Sequence, residues 1–191
     1  MKWLRALVVA LACGTVVSEV AQASPAAPAS STLATIGQRM FTDLQSDNVA
    51  DATHLFFPES AYATMKTGRL ANPAIDYVDR LWAFFRLDIA AYHARLQGAP
   101  VQYLRTEALA NAATWISPGV CENGVGYWHE PAIRLVYEQG GVIKSFAVDS
   151  LISWGGRYYI IHLGPNPRPV NVGTVDAPRL GAGVPGPAGG C

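Results

Sequence analysis

Apolar side chains recur at spacings of three and four in the first part of the chain and alternate with polar ones towards its end. In "STLATIGQRMFTDLQSDN", Leu33, Ile36, Met40, Phe41 and Leu44 lie on one face of a helix. Ser31 or Thr32 offers the oxygen that caps it. "SDNVADATHLFFP" predicts a short second helix, capped by Asp47 or Asn48 and stopped by Pro58. "NPAIDYVDRLWAFFRLDIAAYHARLQG" predicts a long third helix that Asn72 caps, Pro73 opens and Gly98 closes. Its apolar stripe is Ile75, Val78, Trp82, Phe85, Ile89, Tyr92 and Leu96. Asp76 and Arg80 are spaced to pair at i,i+4, and Asp76, Asp79 and Asp88 read as a solvated face rather than as catalytic carboxylates.

Beyond Gly98 the pattern changes. "VQYLRTEALANAATWIS" is extended at both ends around a helix-friendly middle. Gly140-Gly141 and Gly155-Gly156 then separate β-branched and aromatic runs as two-residue hairpin loops, predicting antiparallel strands at 132–138, 142–153 and 157–163. Two-residue loops fix the register. Leu135 then faces Phe146, Ile133 faces Val148 and Ile152 faces Tyr159; with Ile161 and Leu163 they form the core side. Arg134, Glu138, Ser145, Asp149, Ser153, Tyr158 and His162 fall on the opposite, mixed face, with Asp149 directly across from His162. A carboxylate orienting an imidazole is half of many catalytic arrangements. On a mixed face, however, the pair reads first as a surface ion pair or an oligomer contact. Helices followed by antiparallel strands make an α+β domain with its three N-terminal helices on one side of the sheet.

The two ends differ from this body. Lys2 and Arg5 precede an apolar run at residues 6–13, too short to span a bilayer, and Ala21 and Ala23 occupy the small-residue positions of a cleavage site. Residues 1–23 thus read as a signal peptide, 24–30 as a linker and 31–164 as one domain. "VALAC" offers an alternative: acylation of Cys13 and a lipid anchor in the cell envelope in place of soluble, periplasmic or secreted export. From residue 165 onward six prolines and six glycines in 27 residues predict a tail that makes neither helix nor strand. Loss of residues 1–23 leaves 12 basic and 13 acidic residues without a basic stripe. Nothing in that balance points to nucleic acid, and a membrane enters only if Cys13 is lipidated.

Cys121 and Cys191 are the cysteines left after cleavage, and an even pair in an oxidising compartment reads as a disulfide pinning the tail. "CENGVGYWHEP", residues 121–131, is then a stapled turn rather than a reactive loop. His54, His93, His129 and His162 lack metal-ligand spacing, and no motif calls for a metal or other cofactor.

The element order over residues 31–164, with "DNVADATHLFFP" as its second helix, resembles the nuclear-transport-factor-2-like superfamily, which includes ketosteroid-isomerase-like and polyketide-cyclase-like proteins. The resemblance implies a curved, cone-like sheet wrapped around the long helix with a cavity at its open end. In the isomerase-like members a tyrosine of the first helix takes part in proton transfer; residues 33–44 contain none. Fold alone leaves three functions open. The first is a module holding a small apolar molecule, with Trp82, Tyr92, Trp115 and Tyr159 as candidate pocket lining, although the same residues would fill an ordinary core. The second is an envelope interaction module that homodimerises or docks a partner through the mixed sheet face. The third is an isomerase, dehydratase or hydrolase using Asp149 and His162.

Overall fold

The computed structural model describes residues 24–186, so the signal segment, Cys13 and Cys191 lie outside the described residues. Helix α1 (Ser31–Ser46) buries Leu33, Met40, Phe41 and Leu44, and ends on Asp47 in the left-handed conformation. Neither Ser31 nor Thr32 caps it; both lie within its first turn. Asn48 caps α2 (Val49–Ala52), its side-chain oxygen accepting the Asp51 N–H at 3.2 Å. That helix is a single turn, and Pro58 does not stop it but stands directly ahead of α3 (Glu59–Lys66), which buries Ala61, Tyr62 and Met65.

The long helix begins as expected, with Asn72 accepting the Ile75 N–H and Pro73 in the first position. It runs as α4 (Pro73–Asp76), a π-helical segment (Tyr77–Trp82) and α5 (Ala83–Arg95). A π-helical turn holds more residues than an α-helical one, so the face buried before it is displaced in sequence. The buried residues are Tyr77, Leu81, Phe85, Ile89, Tyr92 and Leu96, while the expected stripe members Ile75 and Val78 are 57% and 46% exposed. Asp88 is not on a solvated face either. It is 1% exposed and holds Arg168 in an ion pair, and it accepts the N–H groups of Gly164 (3.0 Å) and Thr174 (2.9 Å).

The fold is α+β, with the helices packed on an open six-stranded antiparallel sheet that is curved. Strands β1 (Val101–Glu107) and β2 (Thr114–Ile116) pair with opposite ends of β3 (Tyr127–Gln139), and the helix-friendly middle between them is not helical. β3 and β4 (Val142–Trp154) form a long hairpin, and β5 (Arg157–His162) forms the second. The glycines of both loops have positive φ, 59° and 80° then 56° and 79°, the geometry of the tight turn that matches strand twist. Leu135 faces Phe146, Ile133 faces Val148 and Ile152 faces Tyr159.

The register then slips. A bulge between Ser150 and Leu151 of β4 sets Ser150, not Asp149, opposite His162. Asp149 instead donates its backbone N–H to Leu163 at 3.2 Å. One extra residue on β5 is enough to re-aim every side chain after it.

The proline- and glycine-rich segment, expected to form neither helix nor strand, supplies β6 (Asp176–Leu180), which pairs with β4 at Lys144–Ala147. Tyr92 fastens the junction. Its hydroxyl lies 2.6 Å and 2.9 Å from the carbonyls of Ala147 and Leu163 and accepts the Asp176 N–H at 2.9 Å. Arg134 and Ser145, expected on an open mixed face, are buried beneath this segment. Arg134 donates to the carbonyls of Ala182 (3.0 Å) and Ala177 (2.9 Å) and to Ser145 Oγ (2.8 Å), and Ser145 donates to Gly181 (2.8 Å). Gly183 crosses so close that a Cβ there would meet Arg134 Nε at 2.6 Å.

Candidate functional site

A cavity of about 600 Å3 opens where the first half of β3 and the second half of β4 meet α3 and the π-helical segment. Its apolar wall is Met65, Leu81, Ile152 and Ile161. Its polar floor comes from the sheet: His129 of β3, Asp149 and Ser150 of β4, and His162 at the end of β5. Strand alternation puts His129 and Ile152 on one face, and Ser150 lies diagonally across, so that His129 Nε2 and Ser150 Oγ meet at 2.6 Å. The bulge brings His162 beside Ser150, with its Nε2 3.4 Å from the Asn166 amide.

The rim is charged. Arg80 in the π-helical segment pairs with Asp76 at 2.7 Å and reaches the Tyr62 hydroxyl at 3.0 Å; that hydroxyl also bonds Asp76. The hydrogen bonds from Arg80 hold the Asp76 carboxyl below its usual range. Lys66 of α3 donates to the Cys121 carbonyl at 2.9 Å, and burial lowers its pKa while Glu122 opposes the shift. Cys121 and Glu122 line the rim in the left-handed conformation at φ 55° and 56°, which non-glycine residues seldom adopt.

Electrostatics separate the two groups that the sequence singled out. Burial pushes the Asp149 carboxyl up to about 7, and the negative charges of Asp176 and Asp88 add to the shift. Asp149 has no side-chain hydrogen-bond partner among the described residues. Burial pulls His162 down to about 4, helped by the nearby guanidinium groups of Arg80 and Arg168. At neutral pH the floor therefore holds an uncharged imidazole and a carboxyl near its midpoint. Such a floor can donate and accept hydrogen bonds or exchange a proton.

Asp149 and His162 thus share a cavity, although not as a cross-strand pair. The aromatic residues expected around a pocket lie elsewhere. Tyr92 and Tyr159 are buried in the core, Trp82 packs at a tilt against Phe56 and Phe85, and Trp115 packs edge-on against Trp128. Cys121 is on the rim, while its expected partner Cys191 falls outside the described residues. His129, Ser150, Tyr62, Lys66 and Arg80 were not foreseen. The hairpin register carried one signal: continued back to Tyr127, it sets His129 against Ile152 and next to Ser150. Among the described residues no group of three or more His, Cys, Asp or Glu side chains is placed to hold a metal ion, and no helix is long and apolar enough to cross a membrane. No family model, no curated protein and no solved structure matches the chain.

Proposed function

We propose that the chain is an exported domain of the cell envelope or periplasm that holds a small, largely apolar molecule in this cavity. The observation carrying the reading is the lining itself: an apolar wall beside a polar floor, in about 600 Å3, the size of many small-ligand sites. Met65, Leu81, Ile152 and Ile161 take the apolar body of the ligand, and His129, Ser150, His162 and Asp149 orient one polar end. Membership of the nuclear-transport-factor-2-like superfamily belongs to the same proposal; a long helix over a curved sheet with a cavity between them is what supports it. Removal of residues 1–23, or acylation of Cys13, and a Cys121–Cys191 disulfide are further parts of the proposal. A homodimer through the mixed sheet face has less behind it, because residues 176–183 of the same chain already cover Arg134 and Ser145.

Ile161→Trp, which fills the cavity from β5, tests the binding reading. The native chain should take up an environment-sensitive apolar dye saturably at one site, and the variant should lose that uptake with its circular dichroism unchanged. Equal uptake by both would contradict it.

A second reading has its own observation. Asp149 and His162 face one cavity with pKa values displaced in opposite directions, about 7 and about 4, which suits proton transfer to and from a bound substrate. Asp149→Asn tests this second reading: it should abolish any turnover with the circular dichroism unchanged, and turnover that survives the substitution would contradict it.

A further inference from the structure

The hairpin loop between β3 and β4 lies at the other end of those strands from the cavity, and a second concavity of about 690 Å3 opens beside it. Arg95, Lys144 and Arg179 line it, and its lining contains no acidic residue. They come from three separate elements: the last turn of α5, the start of β4 and the far end of β6. None of the three has a carboxylate within ion-pair distance among the described residues.

The frame beneath them is fixed. Gln139 is 7% exposed; its amide donates to the carbonyl of Gln97 at 2.9 Å and lies 3.4 Å from that of Arg95, capping the end of α5. Its oxygen accepts Lys144 Nζ at 2.9 Å and so holds the lysine in place. Arg179 is near enough to the buried Arg134 for the two cations to repel, and Asp176 and Glu107 offset that repulsion at Arg134. Glu138 is opposite Ile143 in the hairpin, so the two share a face, and by strand alternation both point away from Lys144.

Apolar side chains project at the same end. Val142, two residues before Lys144 and on its face, is 46% exposed, and Leu180, paired with Lys144, is 77% exposed. Three cations without counter-charge beside two exposed aliphatic side chains complement an anionic lipid surface: phosphates meet the charges, and the aliphatic groups reach the boundary of the acyl region. An acidic protein would find the cations but would leave the aliphatic tips unused.

We propose that this end of the molecule is a docking surface for an anionic phospholipid membrane, seated through Arg95, Lys144 and Arg179 with Val142 and Leu180 at the contact. Docked this way, the chain turns its cavity away from the bilayer. The whole-chain charge balance hides the feature, because the cations are far apart in sequence and are gathered only when β6 joins β4. The inference is independent of what the cavity holds.

Co-sedimentation with vesicles tests it, using protein purified from the cell fraction where it accumulates. The chain should sediment with phosphatidylglycerol-containing vesicles and not with pure phosphatidylcholine, and added salt should release it. Arg95→Gln, Lys144→Gln and Arg179→Gln should each lower partitioning about fivefold. Arg86→Gln, an equal charge loss on the exposed side of α5, should leave it unchanged. Leu180→Asp should weaken binding with the thermal unfolding midpoint preserved, which separates docking from folding. Free glycerol phosphate that competes fully would identify a soluble anion as the ligand and overturn the membrane assignment. Equal sedimentation with both vesicle types, or no response to the three substitutions, would overturn it as well.

Discussion

Asp88 receives Arg168 and two backbone N–H groups in a setting where both side chains of the ion pair are at most 3% exposed. Its partners all belong to residues 164–174, so one carboxylate on α5 fixes the path of the chain after β5. Asp88→Asn leaves a buried guanidinium without its counter-charge and should cost about 3 kcal/mol in urea unfolding. The spacing of Asp76, Asp79 and Asp88 on a helix gave no hint of this, because Arg168 is eighty positions away in a segment without secondary-structure signal.

Asp149 and His162 give opposite pH dependences. His162 titrates at about 4 when folded against 6.5 when free, so the unfolded chain binds a proton in that window that the folded chain refuses. Folding stability therefore falls as pH drops from 6.5 to 4, and His162→Gln should flatten that decline in urea midpoints. Asp149 titrates at about 7 when folded against 3.8 when free, so the folded chain keeps a proton that the unfolded chain releases. Its contribution falls as pH rises from 3.8 to 7, and Asp149→Asn should remove that slope. Carboxyl-carbon NMR reads the same group directly, with a midpoint near 7 expected.

At the scale of elements, the hairpins were legible because two glycines per loop select one turn geometry and thereby one register. Asn72-Pro73 likewise announced the start of the long helix. What escaped are features that insert or displace a residue without changing the composition. The π-helical segment moves the buried face from Ile75 and Val78 to Tyr77 and Leu81, and the bulge moves His162 from Asp149 to Ser150. β6 escaped for a different reason: its sequence, "DAPRL", carries no strand pattern and is extended because the free edge of β4 and the buried Arg134 hold it there. Arg134→Met should therefore act on a whole element. It leaves the carbonyls of Ala177 and Ala182 without their donor, at a cost of about 3 kcal/mol. It should also expose residues 176–186 to limited proteolysis before the rest of the domain unfolds.

As a whole molecule, the domain uses its long β3–β4 hairpin as a strut with different chemistry at each end: a mixed cavity at one and a cationic, aliphatic tip at the other. The α+β class followed from the order of helical and alternating segments alone. The cavity did not, because its lining gathers a few residues each from α3, the π-helical segment, the turn at 120–123 and three strands, none of them marked by a local motif. The central claim is that this cavity holds a small molecule. Mass spectrometry of the protein taken from its own cell envelope, native and then denatured, tests it most directly. The account predicts an added small mass in the native spectrum that vanishes on denaturation and is absent from Ile161→Trp. A native chain with no added mass, or an added mass that the variant retains, would contradict it.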